Sequence, residues 1–175
     1  MKKLIVLSIL SVIVTGFAAA GGLVFQLGAG YHSSFGDFSD APASAGDVKA
    51  MPLGVGGYAG LGYGFGDRKK VSLGAEFAPS WDLSLKPAGV SNFNYQVRGF
   101  VKAKPTDMFT LTGYAGYAGD ILSGDGIDGL QSNGNAVLGA RLTVLFLYAE
   151  YDVVVPWDFG GINKHEVGVG FAFFK

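Results

Sequence analysis

Val71-Ser72-Leu73-Gly74-Ala75-Glu76-Phe77-Ala78-Pro79-Ser80-Trp81-Asp82-Leu83 places its large apolar side chains on odd numbers. Ser72, Gly74, Glu76, Ser80 and Asp82 fill the even ones. A period of two is the strand period, because successive Cβ atoms point to opposite faces. The same period runs from Leu23 to His32, from Met51 to Phe65, from Phe93 to Lys102, from Phe109 to Tyr117 and from Glu166 to Phe173. The stretch from Asn135 to Val155 has no Gly or Pro after Gly139, yet its parity changes. Ala136, Leu138, Ala140, Leu142 and Val144 are apolar on even numbers, whereas Leu147, Ala149, Tyr151, Val153 and Val155 are apolar on odd ones. A tight turn near 144–146 and two strands account for that change; the alternatives are one long strand or a helix.

Eight strands follow, and the segments between them alternate in length. Long ones are read at 33–49, 84–91, 119–134 and 156–164, short ones at 66–70, 104–107 and 144–146. Gly66-Asp67-Arg68-Lys69-Lys70 and Lys104-Pro105-Thr106-Asp107 have turn chemistry. Barrels of bacterial outer membranes have this asymmetry, with long loops outside and short turns on the periplasmic side. Both chain termini are then expected on the periplasmic side.

Residues 1–20 read separately. Lys2 and Lys3 precede an apolar stretch, Leu4 to Val14, broken only by Ser8 and Ser11, and Ala18-Ala19-Ala20 ends it. This is the pattern of a secretory signal peptide cut before Gly21. A membrane anchor is the alternative, but the stretch is short for a span of roughly 20 apolar residues. The mature domain is therefore read as 21–175. It has 11 basic and 14 acidic residues, a net charge of −3, which is no footprint for nucleic acid. With no cysteine among the 175 residues, disulfides, thiolate metal sites, a catalytic thiol and a cysteine-linked lipid are excluded. Only 15% of residues are charged, against about 25% in a soluble domain. The mature part has no uncharged apolar run of 18 residues; without spanning helices, the other structure that crosses a bilayer is a closed barrel.

The expected fold is all-β: an eight-stranded antiparallel up-and-down transmembrane β-barrel. A soluble carrier barrel also alternates, but its outer face must be well solvated. Here the second face is mainly Gly, Ser, Thr and Asn, a poor soluble surface and a good filling for a narrow lumen. Tyr31, Tyr63, Phe65, Trp81, Phe93, Phe109, Tyr117, Trp157 and Phe173 sit near strand ends in the apolar register and are read as aromatic girdles at the two membrane interfaces. The polar face carries Glu76, Arg98, Lys102, Arg141, Glu150, Asp152 and Glu166. Buried charges cost several kcal/mol unless paired, so Glu76, Arg98, Arg141, Glu150 and Glu166 are expected to form a lumenal ion-pair network. An eight-stranded lumen is just wide enough for side chains, hence a plug or a tight conduit and not an open pore.

With signal peptide, strand count and aromatic ends in place, Leu147-Tyr148-Ala149-Glu150-Tyr151 and Gly168-Val169-Gly170-Phe171 resemble the last two strands of small outer-membrane β-barrel proteins of the protein X, protein W and opacity types. The resemblance covers nearly all of 21–175 and rests on pattern. It implies residence in the bacterial outer membrane, contact with its lipid and insertion by the barrel-assembly machinery. Members usually end on an aromatic residue; Phe173-Phe174-Lys175 departs from that by one lysine.

Three functions are weighed. The first is a structural or surface-interaction role for the external loops, meeting an unidentified surface ligand. The second is a narrow passage for small or apolar solutes, in which Pro52, Pro79 and Pro156 interrupt pairing and open the wall sideways, as resembles the protein W type. The third is an enzyme acting on outer-membrane lipid through His32 and Ser34, a His-x-Ser spacing that needs an adjacent acid. No cofactor is expected. The Gly-rich run from Gly54 to Gly62 has no following helix to make a phosphate fingerprint. The loop carboxylates Asp37, Asp40, Asp47, Asp120, Asp125 and Asp128 match no calcium loop and no metal site is read. Gly57-Tyr58-Ala59-Gly60 recurs as Gly113-Tyr114-Ala115-Gly116, as repeated barrel elements do.

Overall fold

The computed structural model describes residues 21–36, 49–50, 53–66, 68–83, 85–86, 91–124, 130–156 and 164–174. Residues 1–20, with the proposed signal peptide, and Trp157 lie outside these. The strands are β1 (Gly21–Gly36), β2 (Lys49–Ala50), β3 (Gly54–Phe65), β4 (Val71–Asp82), β5 (Leu85–Lys86), β6 (Ser91–Ala103), β7 (Phe109–Ser123), β8 (Leu130–Val144), β9 (Leu147–Pro156) and β10 (Lys164–Phe174). Eight of them close in the order β1-β10-β9-β8-β7-β6-β4-β3, every neighbour antiparallel. The remaining two, β2 and β5, pair only with each other.

The alternation read along the chain becomes the two faces of this wall. On β4, β6, β7, β9 and β10 even-numbered residues point into the lumen, and on β8 odd-numbered ones do from Asn135 onward. The reset comes from a two-residue turn. Val144 pairs with Leu147 across Leu145 and Phe146, and Leu145 takes a left-handed φ of 55°. That conformation normally recruits Gly or Asn, so the turn had no compositional marker. A second adjustment sits between Ala118 and Gly119, where Gly134 is the extra residue of a bulge at φ 101°. Its N–H donates to the Tyr117 hydroxyl at 3.2 Å.

Strands reach further than the alternation suggested. β1 runs to Gly36, and β7 and β8 are separated only by residues 124–129 rather than by a loop over 119–134. The reason is chemical: polar residues such as Ser34 and Asp120 look like loop in a sequence, but here they are lumenal strand residues, 0% and 2% exposed. The proline reading is narrowed too. Pro79 pairs with Tyr95 on one side. On the other, Gly56↔Ser80 and Ala59↔Phe77 keep one register, and only the two positions between them lack pairing. Both depend on the single N–H that proline lacks, so one hydrogen bond is lost and the register holds. Pro156 pairs with Asn135 at the end of its strand; Pro52 lies outside the described residues.

Candidate functional site: the lumen and the outer wall

The outer face comes first because it sets the medium. Among described strand positions that point outward, none is Asp, Glu, Lys or Arg. Leu23, Phe25, Leu61, Phe77, Val97, Val101, Leu111, Leu142, Val169 and Phe171 are each between 45% and 63% exposed on that face. His165 is the one imidazole there, and its Nδ1 lies 2.6 Å from the Tyr151 hydroxyl. Aromatic rings gather at both ends of the wall. Toward the long connections, Trp81 meets Phe93, Phe93 meets Tyr95, and Tyr95 meets Tyr117, with centroids 6.2 to 6.5 Å apart. Toward the short turns, Tyr63 meets Phe65 at 5.5 Å and Phe146 stacks on Phe171 at 6.1 Å. Phe109 and Phe173 are exposed at that same end, and Tyr31 is half-buried opposite Val55.

The lumen is the inverse. Across its middle lies a layer built from β4, β6, β8 and β9. Arg98 contacts Glu76 at 2.6 Å, Glu150 at 3.0 Å and Asp152 at 3.2 Å. Arg141 contacts the same Glu76 through two nitrogens, at 2.9 and 3.1 Å, and Glu150 at 2.5 Å. The two guanidiniums therefore share two carboxylates, and the fork geometry of arginine suits this two-oxygen bridging. Gln26 on β1 adds a hydrogen bond to Glu76 at 2.5 Å, tying the first strand to the layer.

Each guanidinium also lies on a tyrosine ring. Arg141 Cζ is 3.3 Å from the Tyr58 centroid, and Arg98 Cζ is 3.8 Å from that of Tyr114. These two tyrosines are the centres of the repeated Gly-Tyr-Ala-Gly element, so the repeat furnishes one cation–π seat per arginine. Tyr114 also donates to Asp152. Glycine 139 leaves room for this contact, since a Cβ there would collide with Asp152 Oδ1 and Tyr114.

Glu166 stands in a second cluster, nearer the long connections. Lys164 bridges Glu166 at 2.9 Å and Asp120 at 2.6 Å. Asn92 and Asn94 donate to Asp120 at 2.7 and 3.0 Å. Gln96 joins the clusters: it donates to Glu166 at 2.5 Å and accepts from Arg98 at 2.9 Å. Thus Glu76, Arg98, Arg141 and Glu150 come together directly, and among the described residues Gln96 links Glu166 to them. Lys164, Asp120, His32 and Asp82 were not read as members of a lumenal network because they lay in or beside segments read as loops. Their even numbers, in phase with the polar residues of the neighbouring strands, were the available signal.

His32 and Ser34 both point into this second cluster. Ser34 donates to Asp82 at 2.9 Å, while the His32 ring faces Asp82 at 3.8 Å and Glu166 at 3.4 Å. The serine is thus bonded to the acid and not to the imidazole, and it faces away from the apolar outer wall. Nucleophilic attack needs the base on the hydroxyl. A void beside the central layer, lined by Tyr58, Pro79, Gln96 and Glu150 among others, has room for about one water.

No protein-family model and no curated protein matches the chain. Two solved structures similar to it are both of Ail, the attachment invasion locus protein of Yersinia pestis. One aligns with a TM-score of 0.46 and 11% identity, covering 89% of this chain and 99% of that one. The other, in complex with the heparin analogue sucrose octasulfate, aligns with a TM-score of 0.48 and 12% identity, covering 87% of this chain and 99% of that one.

Proposed function

We propose that this chain is a bacterial outer-membrane barrel whose lumen is a structural plug and whose working part is the set of long connections on one end. The observation that carries the reading is the division of charge. Every described Asp, Glu, Lys and Arg of the barrel strands points inward or sits at a strand end, while the described outward face, His165 apart, is built of apolar, aromatic and glycine residues. In water that wall would expose several hundred Å² of contiguous apolar surface, which soluble monomers avoid. In a bilayer it faces a matching solvent, and closure satisfies every edge. The aromatic rings at both ends then serve as interfacial girdles, and lipid and the barrel-assembly machinery are its first partners.

The plug argues for a structural or surface-interaction role over a passage. A solute crossing the lumen must part Arg98 and Arg141 from Glu76 and Glu150, groups held by paired charge in a medium of low dielectric. The test is single-channel recording of the refolded protein in planar bilayers, beside heat-modifiable migration on gels and surface protease cleavage in whole cells. The expected outcome is compact migration when unheated, cleavage confined to the long connections and no conductance. Steady unitary current overturns the plug; absence of both compact migration and cleavage overturns the membrane barrel.

A further inference from the structure

Among the described lumenal cations, Arg98, Arg141 and Lys164 all have carboxylate partners. Lys102 has none. It sits on β6 at the short-turn end, 4% exposed, and its Nζ has no hydrogen-bond partner among the described residues. Directly across the β4–β6 ladder lies Ser72, whose hydroxyl is buried and equally unpartnered. An ammonium can only donate, and neither it nor the Ser72 hydroxyl, which could accept as well as donate, is hydrogen-bonded to a described residue. Both residues line an open cup of about 310 Å³ together with Arg68, Lys69 and Lys104, and among the described residues no acidic one lines it. Lys104 is held by Asp107 at 3.4 Å on the outer rim, and Lys69 Nζ donates to the Leu23 carbonyl at 3.1 Å. The cup therefore gathers four cations around a void, at a mouth that the plug separates from the other end. Its rim on β1 includes Leu23, which is apolar and exposed on the outer wall.

We propose that this cup binds a phosphate-class oxyanion, with Lys102 and Ser72 as inner donors and Arg68 and Lys69 closing over it. Cations spaced around a concavity concentrate anions, and a tetrahedral oxyanion offers acceptors to several donors at once. Two sources share that chemistry: the headgroup of an anionic phospholipid in the adjoining leaflet, and a free phosphate ester. The lipid source rests on the membrane reading above; the free anion does not.

The test is calorimetric titration of the refolded protein in neutral maltoside micelles. The probes are inorganic phosphate, dihexanoylphosphatidylglycerol and, as a zwitterionic control, dihexanoylphosphatidylcholine. Saturable binding is expected for at least one of the first two and not for the control. Binding of the glycerol lipid alone assigns the headgroup; binding of both assigns the phosphate group itself. Lys102→Met is expected to weaken it roughly tenfold or more, as loss of a charge-assisted contact does. The double variant Arg68→Gln/Lys69→Gln, confined to the exposed turn, is expected to weaken it less and to flatten its salt dependence. No saturable binding of either anion overturns the proposal, as does unchanged affinity in Lys102→Met. Should Lys102→Met fail to migrate as a folded barrel, unchanged affinity in the double variant overturns it. Compact migration of the wild type on gels, measured on the same sample, separates failure of the site from failure of the barrel reading.

Discussion

Val97 and Arg98 are neighbours in the chain and lie in opposite media. The valine is 53% exposed on a wall whose described positions carry no charged side chain; the arginine is 1% exposed and touches three carboxylates. In a soluble protein their places would be exchanged. The contrast teaches that the strand period fixes only that two faces exist, and that the identity of the small and charged residues decides which of them meets solvent. The outer face is tolerant in shape and intolerant of charge. The inner face tolerates charge but only in sets, because each carboxylate there is shared between donors.

The contrast breaks most sharply from the inside. Arg98→Met leaves Glu76, Glu150 and Asp152 without one of their shared cations and is expected to cost about 3–5 kcal/mol, read as unfolding free energy by urea titration in lipid vesicles. A loss under about 1 kcal/mol would mean that water already solvates the layer. One residue away, Val97→Arg places a charge on the outer wall and is expected to cost about 2–4 kcal/mol in a bilayer, as charges do at mid-depth; a neutral effect in vesicles would place this face in water. Gly139→Ala tests how tightly the inner layer is packed. It drives a methyl into Asp152 and Tyr114, for an expected loss of about 1–3 kcal/mol by the same titration. The smallest effect should be a gain. Leu145→Gly relieves the left-handed turn residue and is expected to stabilise by about 1 kcal/mol, read as a raised urea midpoint.

The sequence pattern disclosed the barrel because both its faces obey one period, and the parity change between Val144 and Leu147 marked a turn that composition concealed. It disclosed less of the lumen. Glu76, Arg98, Arg141 and Glu150 stood out as charges inside apolar strands. Asp120 and Lys164 did not, because a charge near a strand end looks like solvated loop until the strand is known to continue. Tyr58 and Tyr114 were missed as partners of the arginines for the opposite reason: an aromatic residue in a barrel strand suggests lipid, and only its even number speaks for the lumen. Which carboxylate each arginine takes depends on stagger between strands up to 65 residues apart, and no local pattern carries that.

The seam between β1 and β10 has its own consequence. It joins Gly28–Gly36 to Lys164–Ala172, so the barrel's C-terminal strand is the one that removes the free edge of its first. Until then the chain presents two open edges and an unfinished lumen, with Glu166 and Lys164 still missing from the second lumenal cluster. Long-range pairing of this kind is slow and exposed to wrong association. A half-built barrel therefore carries both free edges until the pairing of β10 with β1 removes them together.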